Sequence, residues 1–188
     1  MGATTATELE LAELYARLEA LEQAQSKRFE QKNKLTIIAW GGDLDRLWPT
    51  LILSTTAAAS GMECSVFFTF WGLFALVKPE KRITGKDWMT KMMSAMNPGT
   101  PAKAKLSRYN FAGMGPWMMK KLAKNYKTPN PSELLETARE MGVRLIPCQM
   151  TMDLMGLTRD DLLDDLEEPI GAATALLEMN TASVSLFI

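Results

Sequence analysis

The chain has 188 residues, 47% of them hydrophobic and 23% charged, with a formal net charge of −1. That balance fits a globular domain with one full core and room for an appendage. There is no histidine, and the two cysteines are Cys64 and Cys148, which excludes Ser–His–Asp and Cys–His hydrolysis, a disulfide framework and a conventional zinc site.

The acidic N-terminus, MGATTATELELAELY, has no basic region leading into an apolar stretch, so no secretory signal is read there. The longest apolar run, SVFFTFWGLFALV, is thirteen residues long, whereas a spanning helix needs about twenty. The expectation is a cytoplasmic protein with no membrane span, no metal and no cofactor. The charge is unevenly spread. Residues 78–127 carry a net +10 and the remainder −11, so the middle segment should face an acidic partner or an anionic surface. A nucleic-acid partner is not expected.

Residues 6–31 lack Gly and Pro and repeat Leu11, Leu14, Leu18 and Leu21 at coiled-coil spacing. Residues 1–33 therefore read as a helical arm for oligomerisation, packing on a copy of itself or on the domain, or else as a loosely ordered tail.

From Lys34 the pattern alternates. LTIIAW (35–40) is a buried strand, Gly41-Gly42 a tight turn, and Asp43 the cap of a helix to about Ser60 that Gly61 ends. Pro49 should kink that helix or delay its start to near Trp48. A second strand follows at 63–70. Then comes a helix over 131–142, with Ser132 as cap and Gly142 as stop, and a third strand at 143–148. Residues 158–166 and 170–179 read as helices and 184–188 as a closing strand. The expected fold is α/β: a flavodoxin-like parallel sheet with helices on both faces.

Residues 78–127 interrupt this domain as a basic, methionine-rich helical insertion. Met89, Met92, Met93 and Met96 form one stripe and NPGTP (97–101) ends it; a second helix starts near Pro116. The stripe suits oligomer or partner packing, or a flap resting on a membrane surface without crossing it.

Chemistry is sought beyond the carboxyl ends of the strands, where open parallel sheets bind ligands. Cys148 ends a predicted strand and opens a short helix, QMTMDLM. A thiolate there is favoured by the helix N-terminus without a histidine. Equally, free cysteine is among the most buried residue types and often only packs. Gln149 and Thr151, in the first turn of that helix, are candidate substrate-binding residues. So are Gly41, Gly42 and Asp43 of WGGDLDR, read as a turn lining the pocket in preference to a nucleotide cradle. Cys64, inside a strand, reads as structural. Asp160, Asp161, Asp164 and Asp165 read as the solvated face of an amphipathic helix, with Leu162, Leu163 and Leu166 on its apolar side.

The stretches KLTIIAWGGDLDRLWPTLILSTTAAASGM, FFTFWGLFALVKP, MNPG, GMGPWMMKKLAK and above all MGVRLIPCQMTMDLMG resemble the larger, soluble branch of the DsrE/DsrF-like sulfur-relay family, from about residue 34 to the C-terminus. The resemblance implies a flavodoxin-like domain that forms homo-oligomers. It also implies a sulfurtransferase or stoichiometric sulfur carrier, the latter favoured because no second catalytic group is visible. The family's sulfur-carrying cysteine falls on Cys148, which would hold sulfane sulfur as a persulfide or thiosulfonate beneath the methionine-rich flap. The implied partners are a small TusA-like carrier and a sulfane donor such as thiosulfate. The competing expectation is a non-catalytic assembly or peripheral-membrane module in which Cys148 only packs.

Overall fold

In the computed structural model the described residues are 3–31, 33–81, 85, 87–96 and 100–188. Residues 97–99 of the proposed NPGTP helix stop and two of the insertion's cations, Arg82 and Lys86, lie outside them.

Four parallel strands form one sheet in the order β3-β2-β1-β4: β1 (Lys34–Ala39), β2 (Glu63–Phe68), β3 (Arg144–Pro147) and β4 (Val184–Phe187). Leu35 pairs with Cys64 and Val184, and Phe68 with Pro147, so all four carboxyl ends emerge along one edge. Side chains alternate across the sheet as strand geometry requires. Leu35, Ile37, Cys64, Val66, Phe68 and Leu145 face the main core. Phe67, Ile146 and Cys148, with Ile38, face a second and smaller cluster.

α2 (Leu44–Ala59) and α5 (Pro131–Glu140) pack together over the main core. α7 (Ala172–Thr181) lies on the opposite face, where Ala175 joins the smaller cluster. Helices thus cover both faces, as the alternation predicts. The second face is the thinner, and Val184 and Phe187 remain exposed on β4. Thr36 and Ser65, buried on adjacent strands of that face, share a hydrogen bond of 3.1 Å, which offsets the cost of burying two hydroxyls.

α2 starts at Leu44 and runs through Pro49 instead of starting near Trp48. Proline removes one donor, and the Thr50 hydroxyl still binds the neighbouring Arg46 carbonyl at 2.8 Å. α5 is capped two residues earlier than its serine suggests. Asn130 Oδ1 accepts from the Ser132 and Glu133 amides at 2.9 and 3.1 Å, while the Asn130 amide donates to Glu133 Oε2 at 3.0 Å, a capping box with Pro131 at the first helical position. Asn130→Ala is expected to cost about 1 kcal/mol, readable as a lower urea midpoint with an unchanged slope.

The helix expected over 158–166 is only a 3-10 turn, Arg159–Asp161. Asp161 turns back to accept from the Thr158 amide and hydroxyl at 2.9 and 2.7 Å. Beyond it the chain pairs with residues 76–78: Lys78 N–H donates to the Asp161 carbonyl at 2.9 Å and Leu163 N–H to the Leu76 carbonyl at 3.0 Å. Leu162 and Leu166 are buried as the apolar pattern requires, but from extended backbone. The acidic side chains are ion-paired: Asp164 with Lys78, Asp161 with Lys81 and Asp165 with Arg139.

α1 (Ala3–Gln31) projects as a single helix, and its side chains from Leu11 to Ser26 are exposed. The insertion supplies α3 (Trp88–Met96) and α4 (Met114–Asn125). α3 packs against α6 (Gln149–Met155), and Met93 reaches the main core. Among the described residues no helix is long and apolar enough to cross a membrane.

Candidate functional site

The carboxyl edge of the sheet brings Trp40, Thr69, Cys148 and Ile188 to the ends of adjacent strands. Cys148 follows Pro147 of β3 and occupies the N-cap position of α6, with φ −81° and ψ 115°. Its amide donates to the Phe68 carbonyl at 2.9 Å, and its carbonyl accepts from Met152 at 3.0 Å. A strap runs alongside: Ile170 bridges Cys148 in parallel, Gln149 N–H donates to the Ile170 carbonyl at 3.0 Å, and Ile170 N–H donates to that of Pro147 at 3.1 Å. One first-turn amide of α6 is therefore already committed.

The Cys148 side chain is only 2% exposed, packed with Phe67, Ile146 and Ala175 and flanked by Ile38 and Ile170. It points to the α7 face. Of the methionine stripe expected as its shield, Met89 and Met92 are exposed and Met93 reaches the main core, while α3 packs against α6 with Thr90 close to Gly156. The cover over the thiol is the Ile170 strap and α7. Cys64 sits on the other side of the sheet in the main core, where burial pushes its thiol up to about 11.

Thr151 is fully buried. Its hydroxyl lies 3.1 Å from Thr69 Oγ1 and accepts from Phe70 N–H at 3.1 Å. It is a strut between α6 and the loop after β2. Gln149 is exposed, and its amide donates to Asp153 one turn on at 2.9 Å.

Gly41 and Gly42 lie two strands from Cys148, roughly 10 Å away at the usual strand spacing. Their lack of side chains serves packing. A Cβ on Gly42 would stand 2.5 Å from the Trp71 carbonyl oxygen, and one on Gly41 would overlap Arg46. Arg46 in turn lies 4.0 Å over the Trp40 ring, which stacks on Phe187.

Asp43 caps α2 through its carbonyl, which accepts from Arg46 and Leu47 at 3.0 and 2.8 Å; its side chain makes no cap bond. Burial, reinforced by neighbouring Asp45, pushes its carboxyl above the usual range. The Leu44 amide is taken by the Lys105 carbonyl at 2.7 Å, and Asp45 receives the Ser107 amide and hydroxyl. The insertion therefore closes this helix start, and no anion cradle is left open there.

Two features of the edge escaped the sequence reading. Phe70 adopts φ +45°, a conformation unusual for a bulky residue, held by the Thr151 bond, and it stands exposed beside Trp71. Ile170 covers Cys148 across 21 residues of intervening chain. No local sequence signal marks either; only the parallel register brings them to the thiol.

Residues 31–187 match the model of the DsrE/DsrF/DrsH-like family. The chain is 42% identical over 159 residues to the uncharacterized protein YrkE of Bacillus subtilis, covering 85% of this chain and 99% of that one. It is 36% identical over 169 residues to the sulfur carrier protein DsrE2 of Allochromatium vinosum, with the same coverage of 85% and 99%. Among solved structures, the Escherichia coli ychN protein superposes with a TM-score of 0.51 at 14% identity, covering 83% of this chain and 99% of its own; that likeness concerns the fold. α1 ends where the family match begins. Over residues 31–187, from just before the first strand to the end of the last, this chain belongs to the DsrE/DsrF/DrsH-like family.

Proposed function

We propose that this protein is a sulfur carrier in a sulfur relay, loading sulfane sulfur on Cys148 and passing it to a small carrier protein of the TusA type. The observation that carries the reading is the 36% identity to a sulfur carrier over 99% of its length. Cys148, at the carboxyl edge of the sheet, is the thiol to which this reading assigns the sulfur.

With thiosulfate, the Cys148 thiolate attacks the outer sulfur. A Cys148 S–S bond forms, the S–S bond of thiosulfate breaks, and sulfite leaves with the electron pair, giving a persulfide anion. An acceptor thiolate then attacks the outer persulfide sulfur, and Cys148 departs as thiolate. No base is consumed in either step, consistent with a chain that has no histidine. A thiosulfonate on Cys148 is the alternative loaded form. Both exchange steps suit a reducing, thiol-rich compartment such as the cytoplasm.

The 2% exposure of Cys148 favours a second reading, an assembly or peripheral-membrane module whose thiol only packs. Intact-protein mass spectrometry after incubation with polysulfide, thiosulfate or tetrathionate separates the two. A stable sulfur adduct, removed on adding a thiol acceptor, is the expected result. No adduct with any donor, together with Cys148 alkylating as slowly as Cys64, would leave the assembly module.

A further inference from the structure

Two surfaces of this chain lack partners in the structure, and they complement each other. The first is a groove where α4 crosses α2 and the start of α5. Two adjoining cavities, about 500 and about 700 Å³, run along it and share Trp48, Ala123 and Thr128. The smaller is walled by Ile52, Met119 and Leu122, and Leu122 stands 52% exposed at its rim. The larger is edged by Lys124 and Lys127, and α4 contains no acidic residue. The second surface is α1. Leu11, Leu14, Leu18 and Leu21 form one stripe, each more than half exposed, with Glu19 and Glu22 exposed beside it. Arg17 is neutralised locally by Glu13 at 2.8 Å.

We propose that the groove receives α1 from a second copy of this chain, in a reciprocal exchange. The leucine stripe would enter the apolar cavity, and Glu19 and Glu22 would meet Lys124 and Lys127 at the rim. An amphipathic helix laid in an apolar groove with opposite charge along its edge is a recurring recognition mode, and mutual exchange makes the contact closed and two-fold.

The chain's own arm is directed elsewhere. α1 leaves the sheet at the amino end of β1, where the Asn33 carbonyl accepts from Glu63 at 2.8 Å and its side-chain amide donates to the Gly61 carbonyl at 3.0 Å. The groove opens at the start of α2, at the other end of the sheet. No glycine or proline interrupts residues 3–31, so the arm is a straight rod of about 40 Å that reaches a neighbour more readily than it doubles back. A self-paired coil of α1 has only two leucine heptads, short for independent stability. The groove instead supplies a preformed apolar wall.

The test uses the full chain, half of it labelled with ¹⁵N, co-refolded with unlabelled protein and treated with a zero-length carbodiimide cross-linker. Cross-links from Glu19 or Glu22 to Lys124 or Lys127 that join one labelled and one unlabelled chain are expected. The double reversal Lys124→Glu/Lys127→Glu should lower their yield at least tenfold, and adding Glu19→Lys/Glu22→Lys should restore it. Circular dichroism shows that each variant is folded. Cross-links confined to chains of one label would mean that the arm folds onto its own groove. Their absence in folded wild type would mean that α1 pairs elsewhere. Either result overturns the proposal, and neither bears on sulfur loading at Cys148.

Discussion

Cys148→Ser is expected to abolish sulfur loading completely, whereas Cys64→Ser should load like the wild type. The thiolate is the species that attacks a sulfane sulfur, and a serine hydroxyl stays protonated and inert towards it. The two thiols differ in position as well as in role. Cys148 lies at the carboxyl edge of the sheet, separated from solvent by one strap and one helix. Cys64 lies one residue inside β2, under α2, with its thiol pushed up to about 11 by burial. At pH 8 about one Cys64 in a thousand would be ionised, before any barrier to access is counted. Serine is close in size to cysteine, but a buried hydroxyl without a partner costs about 1–3 kcal/mol. A melting curve on Cys148→Ser must therefore show a folded protein before its mass spectrum is read. An adduct retained in that variant, or one that disappears in Cys64→Ser, would remove Cys148 from the mechanism.

The sheet was legible because each strand is a short apolar run bounded by turn residues, and each helix between strands carries its own start and stop. Gly61 and Gly142 both adopt φ near +75° just beyond helix ends, where the sequence put its stops. The stretch 158–166 was misread as a helix because its leucines and aspartates fit that period. What decided it was pairing with residues 76–78, more than 80 positions away, which no local pattern encodes. The site divided along the same line. A cysteine at the end of a strand is visible in a string of letters. The face on which it lies, the helix that covers it and the commitment of Thr151 to Phe70 depend on register and packing. The arm had a clear pattern but no counterpart in its own chain, so its partner must be sought on the surface.

Glu178→Gln is expected to raise the native-state alkylation rate of Cys148 about tenfold while leaving that of Cys64 unchanged. α7 touches the thiol through Ala175, and Glu178, three residues on, shares that helix face. Its carboxylate is gripped by Lys34 of β1 at 3.0 Å and Arg144 of β3 at 3.2 Å, so one side chain ties the covering helix to two strands. Burial opposes the charge, but hydrogen bonds from Lys34 and Arg144 outweigh it and hold the carboxyl below its ordinary value. Glutamine keeps the shape and loses the charge. Lys34 retains Glu63 and Arg144 retains Glu167, so the loss is that of one half-buried charged contact, about 1.5 kcal/mol. Each 1.4 kcal/mol multiplies the population of an open state tenfold, provided that α7 lifts as a local unit. The pH dependence has a fixed sign. A depressed carboxyl contributes its stability above its unfolded value of 4.5 and loses it as the pH falls through the folded value. Wild type and Glu178→Gln should therefore differ in melting temperature at pH 7, and the difference should shrink as the pH falls below 4.5 and through the folded value. Equal alkylation rates at neutral pH would mean that α7 is not the cover that opens, leaving the Ile170 strap as the element that must move before Cys148 can exchange sulfur.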